Sequence, residues 1–267
     1  MNLYFPKFSQ YGSGPDSNPD IPQAPVEGEL GKRVMIAPPK VRPVVSYTIM
    51  AVTIIVYLLQ VGSQTVLGYD LPALYGTKVN ALIAQGQYWR LLTPMLLHAS
   101  ILHIGFNMYA LYILGPGLER YYGNWRFLGL YVVSGFAGNV FSMIFTPAPS
   151  LGSSTAIFGV FAAEGMFFFQ NRRILGQASQ RALMNIVILA VINFVISLSP
   201  GIDMWGHVGG FLAGGMFAFI AGPVFEVRPS YPSYELVDQR SPTAGLVATL
   251  LVGGFFVFLT FMTIAMG

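Results

Sequence analysis

Seven stretches of this 267-residue chain are long and almost purely apolar: 44–62, 91–115, 127–145, 154–169, 182–198, 205–222 and 244–266. Six of them contain no Asp, Glu, Lys or Arg, and the fourth contains only Glu164. A hydrocarbon core ~30 Å thick is crossed by ~20 residues of α-helix, and inside it every backbone polar group must find its partner within the protein. None of the stretches alternates apolar and polar residues as a membrane β-barrel strand does. The fold class expected is therefore an all-α polytopic membrane protein, a bundle of about seven transmembrane helices. A composition 54% hydrophobic and 9% charged, with a mean hydropathy of +0.60, lies outside the range of soluble domains.

The segments between these spans set the domain plan. Residues 1–43 hold eight of the eighteen prolines among Gly, Ser, Asn and Asp, too little apolar surface to offset the entropy of ordering. They are expected to be a disordered cytoplasmic tail, and with no early apolar core they are no cleavable signal peptide. Residues 44–222 form a six-helix core, 223–243 a cytoplasmic linker, and 244–267 an extra C-terminal span. The mixed stretch 63–90 suits a loop lying partly in the membrane interface. With the tail inside, twelve of the fourteen Lys and Arg fall on the cytoplasmic side and only Lys78 and Arg90 outside, which fixes the orientation. The net charge of +3 is thus a topology signal and no sign of nucleic-acid binding. The absence of cysteine excludes disulfides, thiolate metal sites and a cysteine nucleophile.

This orientation makes the second, fourth and sixth spans all run from outside to inside. Ser154 stands 18 residues before Arg172, His103 17 before Arg120, and His207 16 before Pro223. Each distance is about 24–27 Å of helix, so the three side chains share one depth just below the outer surface. Ser154 needs a base, and His207 is the economical partner. His103 and Asn107, four residues apart, share a helix face and can both donate to an oxyanion. The N–H of Ser154, at a helix start, has no partner within its helix. Gly210 and Gly214 form a small-residue stripe opposite Gly152, Ser153, Ala156 and Gly159, allowing close approach, and Phe158 lies one turn below Ser154, placed to pack on the imidazole. Taken singly, a Gly-x-Ser, a histidine near a helix end (His98 is left in that interfacial class) or a glycine stripe is ordinary. Agreement in depth, direction and residue type across three helices is not, since polar groups at membrane depth are expensive. No metal site or cofactor is expected: a hydrolytic zinc site wants a carboxylate base beside its histidines, and Asn107 occupies the position below His103. Glu164, ten residues beyond Ser154, is too deep for the chemistry and is expected to make a structural hydrogen bond.

These residues resemble those of the rhomboid intramembrane serine proteases, from about Val44 to Met266. The likeness rests on Trp89-Arg90, His98-x4-His103-x3-Asn107, Gly115-x3-Glu119, Gly152-x-Ser154 and His207-x2-Gly210-x3-Gly214, in family order. It implies a rhomboid-like bundle in a six-plus-one arrangement, with Ser154 as nucleophile, His207 as general base and no third acidic member. Oxyanion stabilisation would fall to His103, Asn107 and the Ser154 N–H; Trp89, Arg90 and Glu119 would be structural, Arg90 within the first loop and Glu119 at the cytoplasmic end. The implied partners are a lipid bilayer, that of a bacterial plasma membrane, and single-span membrane proteins cut near the outer end of their helix. Access would be governed by the fifth span and the cap 199–204. One departure is Thr155, where the family's Gly-x-Ser-Gly has glycine. The alternative is a proteolytically silent rhomboid-like protein that binds or escorts transmembrane helices; such relatives usually lack the serine or the histidine, and both are present here.

Overall fold

The structure is a computed structural model that describes residues 36–37, 41–230 and 233–266. The expected tail, 1–43, therefore lies almost wholly outside the described residues. A short strand β1 (Ile36–Ala37) leads to α1 (Val44–Leu67). The connecting segment folds as α2 (Leu71–Gly76), α3 (Asn80–Ala84) and 3-10 turns at Tyr88–Leu91 and Thr93–Leu96. Then come α4 (Ile101–Tyr122), α5 (Asn124–Phe145), α6 (Ser154–Gln170), α7 (Arg172–Leu175), α8 (Gln177–Ile196) and α9 (Met204–Ala221). Strands β2 (Phe225–Ser230) and β3 (Ser233–Asp238) precede α10 (Ala244–Met266). Among the described residues six helices are long and apolar enough to cross a bilayer, and α6, with 17 residues, is shorter. The protein is an all-α integral membrane protein with one small sheet at the end opposite Ser154.

Two stretches depart from the sequence reading. The span placed at 91–115 begins as 3-10 turns, because Pro94 interrupts it and Ser100 starts a new helix by accepting from His103 N at 3.2 Å. That helix, α4, continues through Pro116 to Tyr122, as membrane helices tolerate where neighbours satisfy the backbone. Apolar continuity hid the first boundary, and the charges of Glu119 and Arg120 suggested a loop that is helix. The stretch read as the linker 223–243 holds a hairpin: β2 pairs antiparallel with β3, and β1 adds parallel to β3 at Tyr234 and Glu235. Pro229 is accommodated because β2 is an edge strand. Asn171 pins the hairpin to the bundle, donating to Pro223 O and accepting from Phe225 N, and Arg126 pairs with Asp238 at 2.7 Å.

The centre of the bundle is α6 against α5 and α9. From Thr155 to Ala163 every residue of α6 is buried. A β-carbon on Gly210 would collide with the carbonyl oxygen of Thr155, and one on Gly214 with the backbone of Gly159. A β-carbon on Gly159 would meet Ser134 of α5. Backbones in such contact gain dispersion and close packing that larger residues forbid. Around this centre α10 packs on α5 and α9, α1 on α4, and α4 and α8 each on α6. Helix α8 is the least embedded of the ring, with Ser179 its one buried residue. Glu119 of α4 ties on α1: its carboxylate accepts from Val45 N, Ser46 N and Ser46 Oγ at 2.6–2.8 Å, at the helix end whose dipole favours an anion.

The packing predicts opposite outcomes for two glycines. Gly214→Ala forces α6 and α9 apart and should cost at least about 1–3 kcal/mol, seen as a fall in the thermal midpoint of the detergent-solubilised protein. Gly254 of α10 has nothing within 4 Å of an added β-carbon, so Gly254→Ala should leave the midpoint unchanged or raise it.

Candidate active site

The approach to α6 is a strained corner held from outside the helix. Gly152 has φ +135, a conformation that side chains resist, and its N–H donates to Pro94 O at 2.9 Å. Ahead of it, Ser150 and Lys78 exchange backbone hydrogen bonds of 3.0 and 3.2 Å. This corner delivers Ser154 as the first residue of α6, where its N–H has no helical acceptor. On α9, Asp203 is the N-cap, accepting from Gly206 N at 3.0 Å, and His207 follows one turn later. The glycine contact between α6 and α9 brings the two side chains together: Ser154 Oγ stands 2.8 Å from His207 Nε2. Phe158 lies flat on the imidazole, centroids 4.2 Å apart and planes 12° from parallel.

The other nitrogen of His207 has a partner that sequence reasoning did not find. Ser197, the C-cap of α8, sets its hydroxyl 2.6 Å from His207 Nδ1 and 2.7 Å from Asn193 O. A serine at the end of the fifth apolar stretch gives no sequence signal of this. Thr155 also finds its place: its methyl packs at Gly206, and Gly138 of α5 leaves room for its β-carbon.

His103 reaches the same point from α4. A β-carbon on Gly152 would stand 2.7 Å from His103 Nε2 and 3.6 Å from Ser154 Oγ, so both groups border the space this glycine leaves open. His103 Nδ1 accepts from Ala99 N at 3.4 Å, which leaves Nε2, the nitrogen beside Gly152, to carry the ring proton. Asn107 donates one of its two amide hydrogens to His103 O at 3.0 Å and keeps the second free of its own helix. His98, read as an interfacial residue, is instead 2% exposed. Gln60 of α1 accepts from its N–H and donates to its carbonyl, and its Nε2 lies 3.2 Å from Ser153 Oγ. The pattern His98-x4-His103 thus braces the α6 corner from behind. Among the described residues no three His, Cys, Asp or Glu side chains gather as a ligand set.

The remaining sequence candidates lie away from this point. Arg90 is buried and donates to Gln87 Oε1, Thr77 O and Leu74 O, closing the segment between α1 and α4 on itself. Trp89 bonds Tyr75 O there. Glu119 sits at the far end of α4, as described. Glu164 makes no hydrogen bond among the described residues, so the structural bond expected for it is not found.

Comparison with known proteins bears on this constellation directly. A family model described as the rhomboid domain matches residues 85–224, the segment that carries every one of these α4, α6 and α9 residues. The chain belongs to the rhomboid family. It is 39% identical over 214 residues to rhomboid protease GluP of Bacillus subtilis (strain 168), covering 79% of this chain and 40% of that one. It is 32% identical over 159 residues to putative rhomboid protease YdcA of the same organism, covering 59% and 74%. It is 41% identical over 133 residues to rhomboid-like protease 3 of Toxoplasma gondii, covering 48% and 49%. Against GluP the chain thus spans well under two thirds of the relative's length.

In this rhomboid a charged cluster sits beside the site. Lys78 is fully buried, its ammonium donating at 3.3 Å to Ser142 O in the last turn of α5 and at 2.7 Å to the O of Thr146, the helix's C-cap. Burial pulls it down to about 8, against the opposing attraction of Asp203. Asp203 accepts from Ser142 Oγ and, at 3.0 Å, from Thr146 Oγ1 as well as Gly206 N. Burial works to raise its carboxyl, but these donors, with Ser150 beside them, outweigh it and hold it below the ordinary 3.8. The carboxylate therefore ties the N-terminus of α9 to the end of α5 and stabilises the fold wherever it is ionised. Asp203→Ala should lower stability by about 1–2 kcal/mol at pH 7, the cost of a lost cap. Because a depressed carboxyl contributes fully above its unfolded value, the gap should hold above pH 3.8 and shrink as pH falls further. Thermal unfolding of both proteins across pH checks this.

Proposed function

We propose that this rhomboid is an intramembrane serine endopeptidase that cleaves single-span membrane proteins near the outer end of their transmembrane helix, with Ser154 as nucleophile and His207 as general base. The observation that carries the reading is the 2.8 Å approach of Ser154 Oγ to His207 Nε2 at the buried start of α6. A serine hydroxyl is a weak nucleophile until an adjacent base accepts its proton. As Oγ bonds to the scissile carbonyl carbon, its proton passes to Nε2 and the carbonyl electron pair moves onto oxygen. That oxyanion is held by the Ser154 N–H, His103 Nε2–H and the Asn107 amide hydrogen that its own helix does not use. The imidazolium then protonates the leaving amine, and water, activated by the same histidine, hydrolyses the acyl-enzyme.

The partner class follows from where the site lies. The topology read from the sequence puts twelve of the fourteen Lys and Arg on the side away from Ser154, which supports a site facing outward from a bacterial plasma membrane with the N-terminal segment in the cytoplasm. A substrate helix reaches the site along the bundle wall, where α4 and α8 both pack on α6 but scarcely on each other and α8 leaves its apolar side chains exposed. The names of GluP and YdcA as rhomboid protease and putative rhomboid protease support the same activity.

Ser154→Ala and His207→Ala should each reduce cleavage of a tagged single-span substrate in proteoliposomes by at least ~10³-fold, with thermal midpoints near wild type. A fluorophosphonate probe should label the wild type at Ser154 and neither variant. Full cleavage by Ser154→Ala would overturn the reading.

A further inference from the structure

We propose that Ser197 is a positioning residue that fixes His207 as the tautomer protonated on Nδ1, so that Nε2 presents a lone pair to Ser154. The Ser197 hydroxyl has one proton and lies within hydrogen-bond distance of two atoms, Asn193 O at 2.7 Å and His207 Nδ1 at 2.6 Å. Asn193 O is a carbonyl and can only accept. The single proton therefore goes to Asn193 O, the usual back-bond of a serine to the carbonyl four residues earlier. The Ser197 oxygen is left as an acceptor, and Nδ1 must carry the hydrogen it accepts. A neutral imidazole has only one N–H, so Nε2 is unprotonated at the point where Ser154 Oγ lies 2.8 Å away. The opposite tautomer would put two hydrogens between Nε2 and Oγ unless the serine rotated its own away, and would leave Ser154 no base.

Burial makes this arrangement the working one. Ser197 is 2% and His207 7% exposed, so water is not at hand to replace the acceptor if the hydroxyl is removed. Phe158 covers one face of the ring, and Phe194, three residues before Ser197 on α8, packs edge-on against Phe158 at 5.1 Å. The aromatic contacts set the plane of the imidazole, and Ser197 sets which of its nitrogens is basic. The proposal rests on the proteolytic reading only for its kinetic consequence; the tautomer is a property of the resting protein.

The test has one arm that needs no activity. Detergent-solubilised protein labelled with ¹⁵N-histidine is read by NMR, with the His207 signals assigned by their loss in His207→Ala. Wild type and Ser154→Ala should show His207 protonated on Nδ1, and Ser197→Ala a mixture of tautomers. In the second arm, Ser197→Ala should lose about tenfold in fluorophosphonate labelling rate and in kcat, the scale of one hydrogen bond, with KM unchanged. Ser197→Thr, which keeps the hydroxyl, should restore both. A wild-type His207 protonated on Nε2 would overturn the proposal, as would Ser197→Ala with an unmoved tautomer and rate. Should Ser197→Ala fold too poorly to compare, the wild-type tautomer and Ser197→Thr decide alone. A protein with Nδ1–H set by Ser197 that cleaves nothing would leave this proposal standing and end the proteolytic reading.

Discussion

Everything near Ser154 depends on how closely two helix backbones approach. The distance from Ser154 to His207 depends on how closely the backbones meet, which is set by the contact of Gly210 with Thr155 and of Gly214 with Gly159. In lipid the hydrophobic effect gives helices little reason to associate with one another, so close van der Waals contact has to hold them. A single methyl group at either glycine would open the contact, and a hydrogen bond between α6 and α9 tolerates almost no separation. The same economy recurs at Gly138, where the added atom would meet Thr155 and the carbonyl of Gly206. Three helices thus converge on the start of α6 at positions where the chain has no side chain to spare.

The polar groups that this packing buries are handled in two ways. Charged ones are placed at helix ends, where unsatisfied backbone groups complement them: Glu119 at the start of α1, Asp203 at the start of α9, and Lys78 at the end of α5. Neutral ones are pinned by backbone bonds close in sequence, as Asn107 is to His103 O and Ser197 to Asn193 O. A few buried polar atoms among the described residues have no partner at all, including Thr155 Oγ1 and Ser134 Oγ, both beside the α6–α9 contact.

How much of this was legible in the chain follows from which forces act locally. The apolar spans were readable because a bilayer imposes length and composition on each helix separately, and the shared depth of Ser154, His103 and His207 follows from counting residues to the far boundary. Boundaries set by single residues were not: Ser100 starts α4 by a cap that looks like any other serine inside an apolar run. The hairpin at β2 and β3 was hidden by Pro229, which is compatible with an edge strand that only the three-dimensional order reveals. Lys78 was placed on the outer side by its charge alone; its burial was not legible, because its partners Ser142 and Thr146, at the end and cap of α5, lie 64 and 68 residues away. Ser197 was invisible for the same reason. Its role depends on α8 ending beside α9, a tertiary fact that no spacing encodes.

The choice of a hydroxyl rather than a carboxylate behind His207 has a physical reason in this setting. A carboxylate at that point would have to be buried with α6, α8 and α9 around it, and an ionised acid in such surroundings costs several kcal/mol unless fully paired. Asp203 is kept at the helix start, where the Gly206 N–H and the hydroxyls of Ser142 and Thr146 satisfy it. From there it acts on the position of α9 through its backbone and cap rather than on the imidazole through a hydrogen bond. A serine whose own proton is committed to Asn193 O supplies a fixed acceptor without introducing charge. It orients a neutral ring at the cost of one neutral hydrogen bond, and it stabilises an imidazolium less than an acid would. In the proposed reaction the burden of stabilising charge then shifts to the oxyanion side, for which α6 offers the unpaired N–H of Ser154 and α4 offers His103 and Asn107, four residues apart.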